Sequence, residues 1–353
     1  LYIAEPDEKK RAGFARAGVA GVDKVVIKSF SVREGSSLPQ IVRESRALEA
    51  ARKLGLVLDH ELTPERFHYV TRYVPGESLT QVSARLHAAS DPALNGLDDG
   101  RLRTALGFVE DLVRTLDAYH RGGLWHKDVK PDNIIVSSDG SAARAHLVDF
   151  GLVTPLRSAM TLTTHGTEYF RDPEMVRRAL RGVKVHEVDG AKFDIYAAGA
   201  VLYALLENSF PAHGVLSPIS KRCPESVRWV VRRAMTDYEK RYESASAMLA
   251  DVRALLTAPT PFAVRPADLP SVRAGEDGGD VEVEAREEFG ARGVGAGAGM
   301  GAGASVGAGA AAAAGAAVGA GVAGSPGEEW KDWAARGVQM AKDAVAAAMV
   351  GAG

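Results

Sequence analysis

The sequence predicts an α+β fold whose strands gather early and whose helices dominate later. Three observations predict it. Short β-branched runs at 24–27, 67–73, 134–136 and 145–148 have the length and residue types of strands. Longer amphipathic stretches, among them 38–54, 102–120 and 224–235, carry helical periodicity. Residues 1–257 read as ordinary globular sequence, and the composition changes only after that point. With 353 residues, 46% hydrophobic and 25% charged, the chain can build two lobes with real cores. A formal net charge of −2 gives no pull towards nucleic acid or an anionic membrane, so no nucleic-acid partner is expected. The lone Cys223 cannot pair within the chain. That excludes a disulfide-built secreted domain and fits a reducing, cytoplasmic compartment. The chain opens on Leu1 rather than Met, as a fragment would, so the missing leader segment carries no weight.

Beyond 257 the sequence divides in three. Residues 258–292 are rich in Pro, Gly and acids and read as a polar linker. Residues 293–327 are uncharged and almost wholly Gly and Ala. Such a segment is long enough to cross a bilayer, which leaves a membrane-anchored protein as the alternative to a cytoplasmic one. Glycine at nearly every second position weakens a helix and alanine adds little transfer energy, so a flexible spacer is favoured over a span or a self-association segment. Ser325-Pro326 followed by Glu328 and Glu329 has the capping residue, early proline and acids of a helix start, giving a short helix within 328–353.

The chemistry lies in one ordered set of motifs. His126-Lys127-Asp128-Val129-Lys130-Pro131-Asp132-Asn133 runs into the apolar Ile134-Ile135-Val136. Asp149-Phe150-Gly151 begins sixteen residues after Asn133, and Gly166-Thr167-Glu168-Tyr169-Phe170-Arg171-Asp172-Pro173-Glu174 follows. A solvated loop of mixed charges would not need the apolar strands that flank the first two motifs. Upstream, Val25-Val26-Ile27-Lys28 ends a strand on a lysine. Asp and Asn oxygens are hard ligands suited to Mg²⁺.

This set resembles the eukaryotic-type Ser/Thr protein kinase family, with features closer to its bacterial members, over residues 1–257. The resemblance implies a bilobal kinase fold with a small β-rich N-lobe (1–74) and a larger helical C-lobe (75–257). It implies ATP and Mg²⁺ as cofactors and protein substrates with Ser or Thr acceptors. Asp128 would accept the substrate hydroxyl proton, Lys130 would sit by the transferring phosphoryl group, and Asn133 and Asp149 would hold Mg²⁺. Lys28 would bind the α- and β-phosphates, paired with Glu44, or alternatively Glu49, on the following helix. Val26 and Ile135 would sandwich adenine, Thr71 would be the gatekeeper, and the backbones of Arg72 and Val74 would bond the ring. Asp194 would brace the catalytic loop and Arg241 would pair with Glu174.

Three departures qualify the resemblance. Lys127 stands where the family has an arginine, and a lysine is a weaker clamp for an activation-segment phosphate. Val26 replaces the alanine of the family's lysine strand, and Asp172 replaces an alanine in the peptide-docking segment. No G-x-G-x-x-G precedes Lys28. Residues 2–5 instead resemble the family's second strand, so 6–23 would be an enlarged connection and the N-lobe is expected to be truncated at its start. The alternative to an enzyme is a pseudokinase, a binding or scaffold module on the same fold. A small-molecule phosphotransferase is a third reading, against which the segment around Tyr169 argues.

Overall fold

The computed structural model describes residues 1–31, 45–63, 65–138, 140, 142–164, 168–211 and 218–276. Residues 1–280 form one compact unit. Its N-terminal part is a four-stranded antiparallel sheet in the order β1 (Tyr2–Ala4), β2 (Val25–Ser31), β4 (Arg66–Arg72), β3 (Asp59–Leu62). Among the described residues it also carries two helices: α1 (Glu8–Arg16) in the β1–β2 connection, and α2 (Ser45–Lys53) after β2.

The pairing register decides what each sheet face carries. Val26 lies opposite Thr71, Lys28 opposite Tyr69, and Ile3 opposite Val26, so these residues share one face. Ala4, Val25, Ile27 and Val70 share the other. There they meet Phe14 of α1, Val22 and Leu58 in a small separate core. Helix α1 is only nine residues long, too short to persist alone. It is held by Asp7, whose Oδ1 accepts from the Lys10 amide at 2.7 Å, by Lys10 Nζ to Asp59 Oδ2 at 2.6 Å, and by buried Phe14. The enlarged connection expected at 6–23 is therefore a helix that roofs the sheet.

The C-terminal part is helical. β5 (Glu77–Ser78) leads into α3 (Leu79–Ala88), then α4 (Asp99–Arg121), β6 (Leu124–Trp125), β7 (Ile134–Ser138), β8 (Ala143–Leu147), β9 (Thr154–Pro155), α5 (Pro173–Leu180), α6 (Gly190–Glu207), α7 (Glu225–Met235), α8 (Ala245–Thr257) and α9 (Pro270–Glu276). Helix α6 is buried along nearly its whole circumference from Phe193 to Leu206, as an all-round apolar helix must be. At Gly199 a Cβ would come within 2.6 Å of the Ala234 Cβ, so glycine lets α7 pack this closely. This is the bilobal α+β arrangement expected from the motifs.

The folded body does not stop at 257, where the polar linker was expected to begin. Leu269 is fully buried and Pro261 is buried in the main body. The Ser271 amide donates to Asp251 Oδ1 at 2.9 Å, and the Arg103 guanidinium donates to the carbonyls of Leu256 and Ala258 at 2.9 and 2.7 Å. The anchors are few and irregularly spaced, which hides them from any periodicity test. Residues 277–353, including the Gly/Ala segment and the expected terminal helix, lie outside the described residues. Among the described residues no helix is long and apolar enough to cross a membrane.

Candidate active site

The site lies between the sheet and the helical body, where the loop joining β6 to β7 meets the segment after β8. Asp194, near the start of α6, holds that loop from below. Its Oδ2 accepts from the His126 amide at 2.7 Å and its Oδ1 from the Lys127 amide at 2.9 Å, while His120 Nε2 lies 3.0 Å from Oδ2. Asp194 is only 1% exposed, so these bonds operate in a low-dielectric interior. They stabilise a bend in which Lys127 adopts φ +71°, a conformation a non-glycine residue rarely takes unaided.

One residue beyond the bend, Asp128 is held on two sides. Asn133 Nδ2 donates to Asp128 Oδ2 and to the Asp128 carbonyl, each at 2.8 Å, and Lys130 Nζ lies 3.1 Å from Oδ2. The loop is tied to the neighbouring motif through the backbone, since the Val148 amide donates to the Asn133 carbonyl at 2.8 Å. Asp149 follows at φ +67°. Its Oδ1 accepts from Lys28 Nζ at 2.6 Å and from the Gly151 amide at 3.0 Å. Burial pushes the Asp149 carboxyl up, but the Lys28 bond and charge and the Gly151 amide outweigh it and hold the group below its usual range. Phe150 is buried against Tyr119 and His126, with ring centroids 6.0 and 6.3 Å away.

Lys127 is buried, and burial pushes its ammonium down to about 8. Its Nζ donates to Thr163 Oγ1 and lies 5.6 Å from the centre of the Trp125 ring.

The remaining sequence candidates fall around this centre. Thr71 and Val26 sit on the sheet face that carries Lys28. Arg72 ends β4 and its guanidinium donates to the Ala20 carbonyl. Val74 follows half-buried, and Ile135 lies on β7 opposite Ser78. Gly76 has φ +150°, and a Cβ there would come within 2.1 Å of the Val136 carbonyl oxygen; the Pro-Gly after β4 thus lets the chain cross tightly over β7. Glu44 lies outside the described residues, whereas Glu49 on α2 is exposed and bonded to Lys53 at 3.2 Å. Sequence reasoning missed Ile3, which the register sets beside Val26 on the Lys28 face. A strand at 2–5 places Ile3 on that face only once its register against β2 is known.

The family model for the protein kinase domain matches residues 18–257, more than half of the chain. The chain belongs to the protein kinase family. Among curated relatives, the CBL-interacting protein kinase 5 of Oryza sativa subsp. japonica is 29% identical over 198 residues, covering 54% of this chain and 38% of the relative. The rice CBL-interacting protein kinase 25 is 33% identical over 194 residues, 53% of this chain and 34% of the relative. The CBL-interacting serine/threonine-protein kinase 15 of Arabidopsis thaliana is 28% identical over 196 residues, 53% and 41% respectively. The chain spans less than half the length of each.

This kinase domain differs from its expected wiring in one buried pair. Arg241 was expected to meet Glu174, but its guanidinium grips Asp172, with Nη2 to Oδ1 at 3.0 Å and Nη1 to Oδ2, both side chains almost fully buried. Glu174 turns instead to Arg177 and Arg178, at 2.9 and 2.7 Å. Asp172 is the N-cap of α5 and accepts from the Glu174 amide at 2.8 Å. Residues two apart at a helix start point in different directions, so only one of the two acids can face Arg241. The substitution of Asp172 for the family's alanine is thus what supplies Arg241 with its partner.

Proposed function

We propose that this chain transfers the γ-phosphate of ATP to Ser or Thr hydroxyls of protein substrates, with Mg²⁺ as the metal. The observation that carries this is the convergence at one cleft of Asp128, backed by Lys130 and Asn133, with Lys28 paired to Asp149.

The residues present fit ATP and Mg²⁺. Asn133 uses its amide nitrogen on Asp128, which leaves Oδ1 for a metal, and Asp149 uses Oδ1 on Lys28 and Gly151, which leaves Oδ2. Both are hard oxygen donors of the kind Mg²⁺ takes. Asn133 and Asp149 would hold the metal, which when bound would supply positive charge to offset the charge that develops on the phosphates. Lys28 would bind phosphate as a point charge, and its partial exposure keeps it reachable. Asp128 would orient the acceptor hydroxyl and take its proton, and Lys130 would stabilise charge on the transferring group. Val26, Ile3 and Thr71, which share a sheet face, would lie over adenine, with Ile135 beneath and the backbones of Arg72 and Val74 at its edge. Glu44 remains the proposed partner of Lys28 in the active arrangement.

The test is transfer of labelled γ-phosphate to a generic protein substrate by the wild type and by Asp128→Asn. Loss of transfer in the variant, with its melting temperature intact, is expected. Turnover within threefold of wild type would sink the proposal.

A further inference from the structure

The sheet face that carries Lys28 also holds a buried hydroxyl with nothing to bond. Tyr69 of β4 lies opposite Lys28 of β2, so the two side chains leave the sheet on the same side. Tyr69 is 3% exposed, and its Oη has no hydrogen-bond partner among the described residues. His60, its opposite on β3, makes no bond to it and has its own Nδ1 unpaired. A buried hydroxyl left unmet costs free energy that the same ring without its oxygen would not. Nearly all buried polar groups find a partner, so this exception calls for a reason.

Tyr69 cannot move to a partner. Its ring stacks on Phe30 at 5.9 Å and meets the fully buried Phe67 at 6.1 Å. A phenol oxygen lies on the axis of its ring, so a fixed ring fixes the oxygen. Only a mobile neighbour can satisfy it, and Lys28 is that neighbour. Its four-carbon stem is flexible, its side chain is 28% exposed, and its Nζ lies 5.8 Å from the centre of the same Phe30 ring. In this structure Nζ is turned to Asp149 Oδ1 at 2.6 Å. Burial pushes the Tyr69 phenol up, and the Asp149 charge adds to the rise. The group therefore stays a neutral hydroxyl, whose lone pairs accept from an ammonium.

We propose that Tyr69 is a positioning residue: its hydroxyl accepts a hydrogen bond from Lys28 Nζ once the Lys28–Asp149 pair opens, and so holds the ammonium on the phosphates of ATP. The inference rests on the phosphotransfer reading above. The arrangement seen here is then the resting one, in which Asp149 is satisfied and Tyr69 is not. An ammonium has three donors, so Lys28 can give one N–H to Tyr69 and another to a phosphate. The unmet hydroxyl favours the open arrangement over the closed one, and ATP binds the arrangement so favoured. Tyr69 touches no reacting atom and acts through Lys28.

The experiment compares Tyr69→Phe with wild type in the full chain. The change removes one oxygen and keeps the packed ring. The melting temperature is expected to stay level or rise, because an unmet hydroxyl has gone. Calorimetric titration with MgATP should show binding about fivefold weaker, whereas adenosine, which has no phosphates, should bind both proteins alike. Phosphate transfer at saturating MgATP should fall about tenfold. In a Lys28→Ala background, adding Tyr69→Phe should cost no further MgATP affinity, since the hydroxyl acts through Lys28. MgATP affinity and transfer both within twofold of wild type would overturn the proposal. So would a lower melting temperature, which would show the hydroxyl already bonded at rest through water. An equal loss of adenosine affinity would overturn it too, as general damage to the site. A chain that shows the Tyr69–Lys28 coupling but transfers no phosphate would sink the phosphotransfer reading and leave the contact standing. A wild type that binds no MgATP would sink both.

Discussion

Two ion pairs in this molecule use the same chemistry in opposite settings. Lys28 and Asp149 meet at 2.6 Å with side chains 28% and 39% exposed, joining the sheet to the segment after β8. Arg241 and Asp172 meet with side chains 3% and 1% exposed. The Arg241 guanidinium lies 4.9 Å from the Tyr196 ring centre, and its Nε donates to the Thr236 carbonyl at 2.8 Å. The wet pair can open at little cost, because neither charge is stranded when the bond breaks, and the proposed function uses that freedom to turn Lys28 to a phosphate. The dry pair cannot open without leaving a charge in the interior, where solvation is lost and nothing replaces it. The proposed function uses the first setting, and the anchoring of the start of α5 uses the second.

The sharpest way to break that comparison is to remove one acid from each. Asp149→Ala should cut phosphate transfer by more than about a hundredfold, the range in which single catalytic groups act, with little change in melting temperature. Asp172→Ala should cost about 3–5 kcal/mol of stability in denaturant unfolding, because it strands Arg241. The neighbouring Glu174→Ala breaks only partly exposed contacts and should cost less than about 1 kcal/mol. Equal losses at Asp172 and Glu174 would show that the buried partner has been misassigned.

A third break concerns the segment beyond 257. A chain ending at Thr257 should melt several degrees below one ending at Glu276, since it forfeits the buried Leu269 and exposes the Asp251 carboxylate. Identical melting curves would mean that this segment adds nothing to the body.

Smaller effects are expected around Lys127, which resembles the dry pair in burial and the wet one in position. Thr163→Ala should lower transfer by less than about tenfold, because a lysine clamps a phosphate less firmly than an arginine fork. Complete loss would contradict that. Lys127 also has a pH signature. Its folded value of about 8 lies below the ordinary 10.5, so between these values the unfolded chain holds a proton that the folded chain has released. Stability from this group therefore rises with pH across that window. The rise should be missing in Lys127→Arg, whose side chain stays charged, when the unfolding free energies of the two proteins are compared from pH 8 to 10.

What the sequence determined by itself is the set of groups whose chemistry is local. Lys28 at the end of a β-branched run, Asp128 with Lys130 and Asn133 within six residues, and Asp149 before Phe150 are legible because short loops between apolar strands hold them in register. The bilobal α+β class followed from the same motifs. The tertiary structure alone decided which groups meet across long separations. It chose Asp172 over Glu174 for Arg241, set Ile3 beside Val26, laid α1 over the outer face of the sheet, and folded Leu269 and Ser271 back onto the body. Each of these depends on the direction in which a side chain leaves its helix or strand. Residues 172 and 174 are both acids, and only the geometry at the start of α5 turns one inward to a buried arginine and the other out to Arg177 and Arg178.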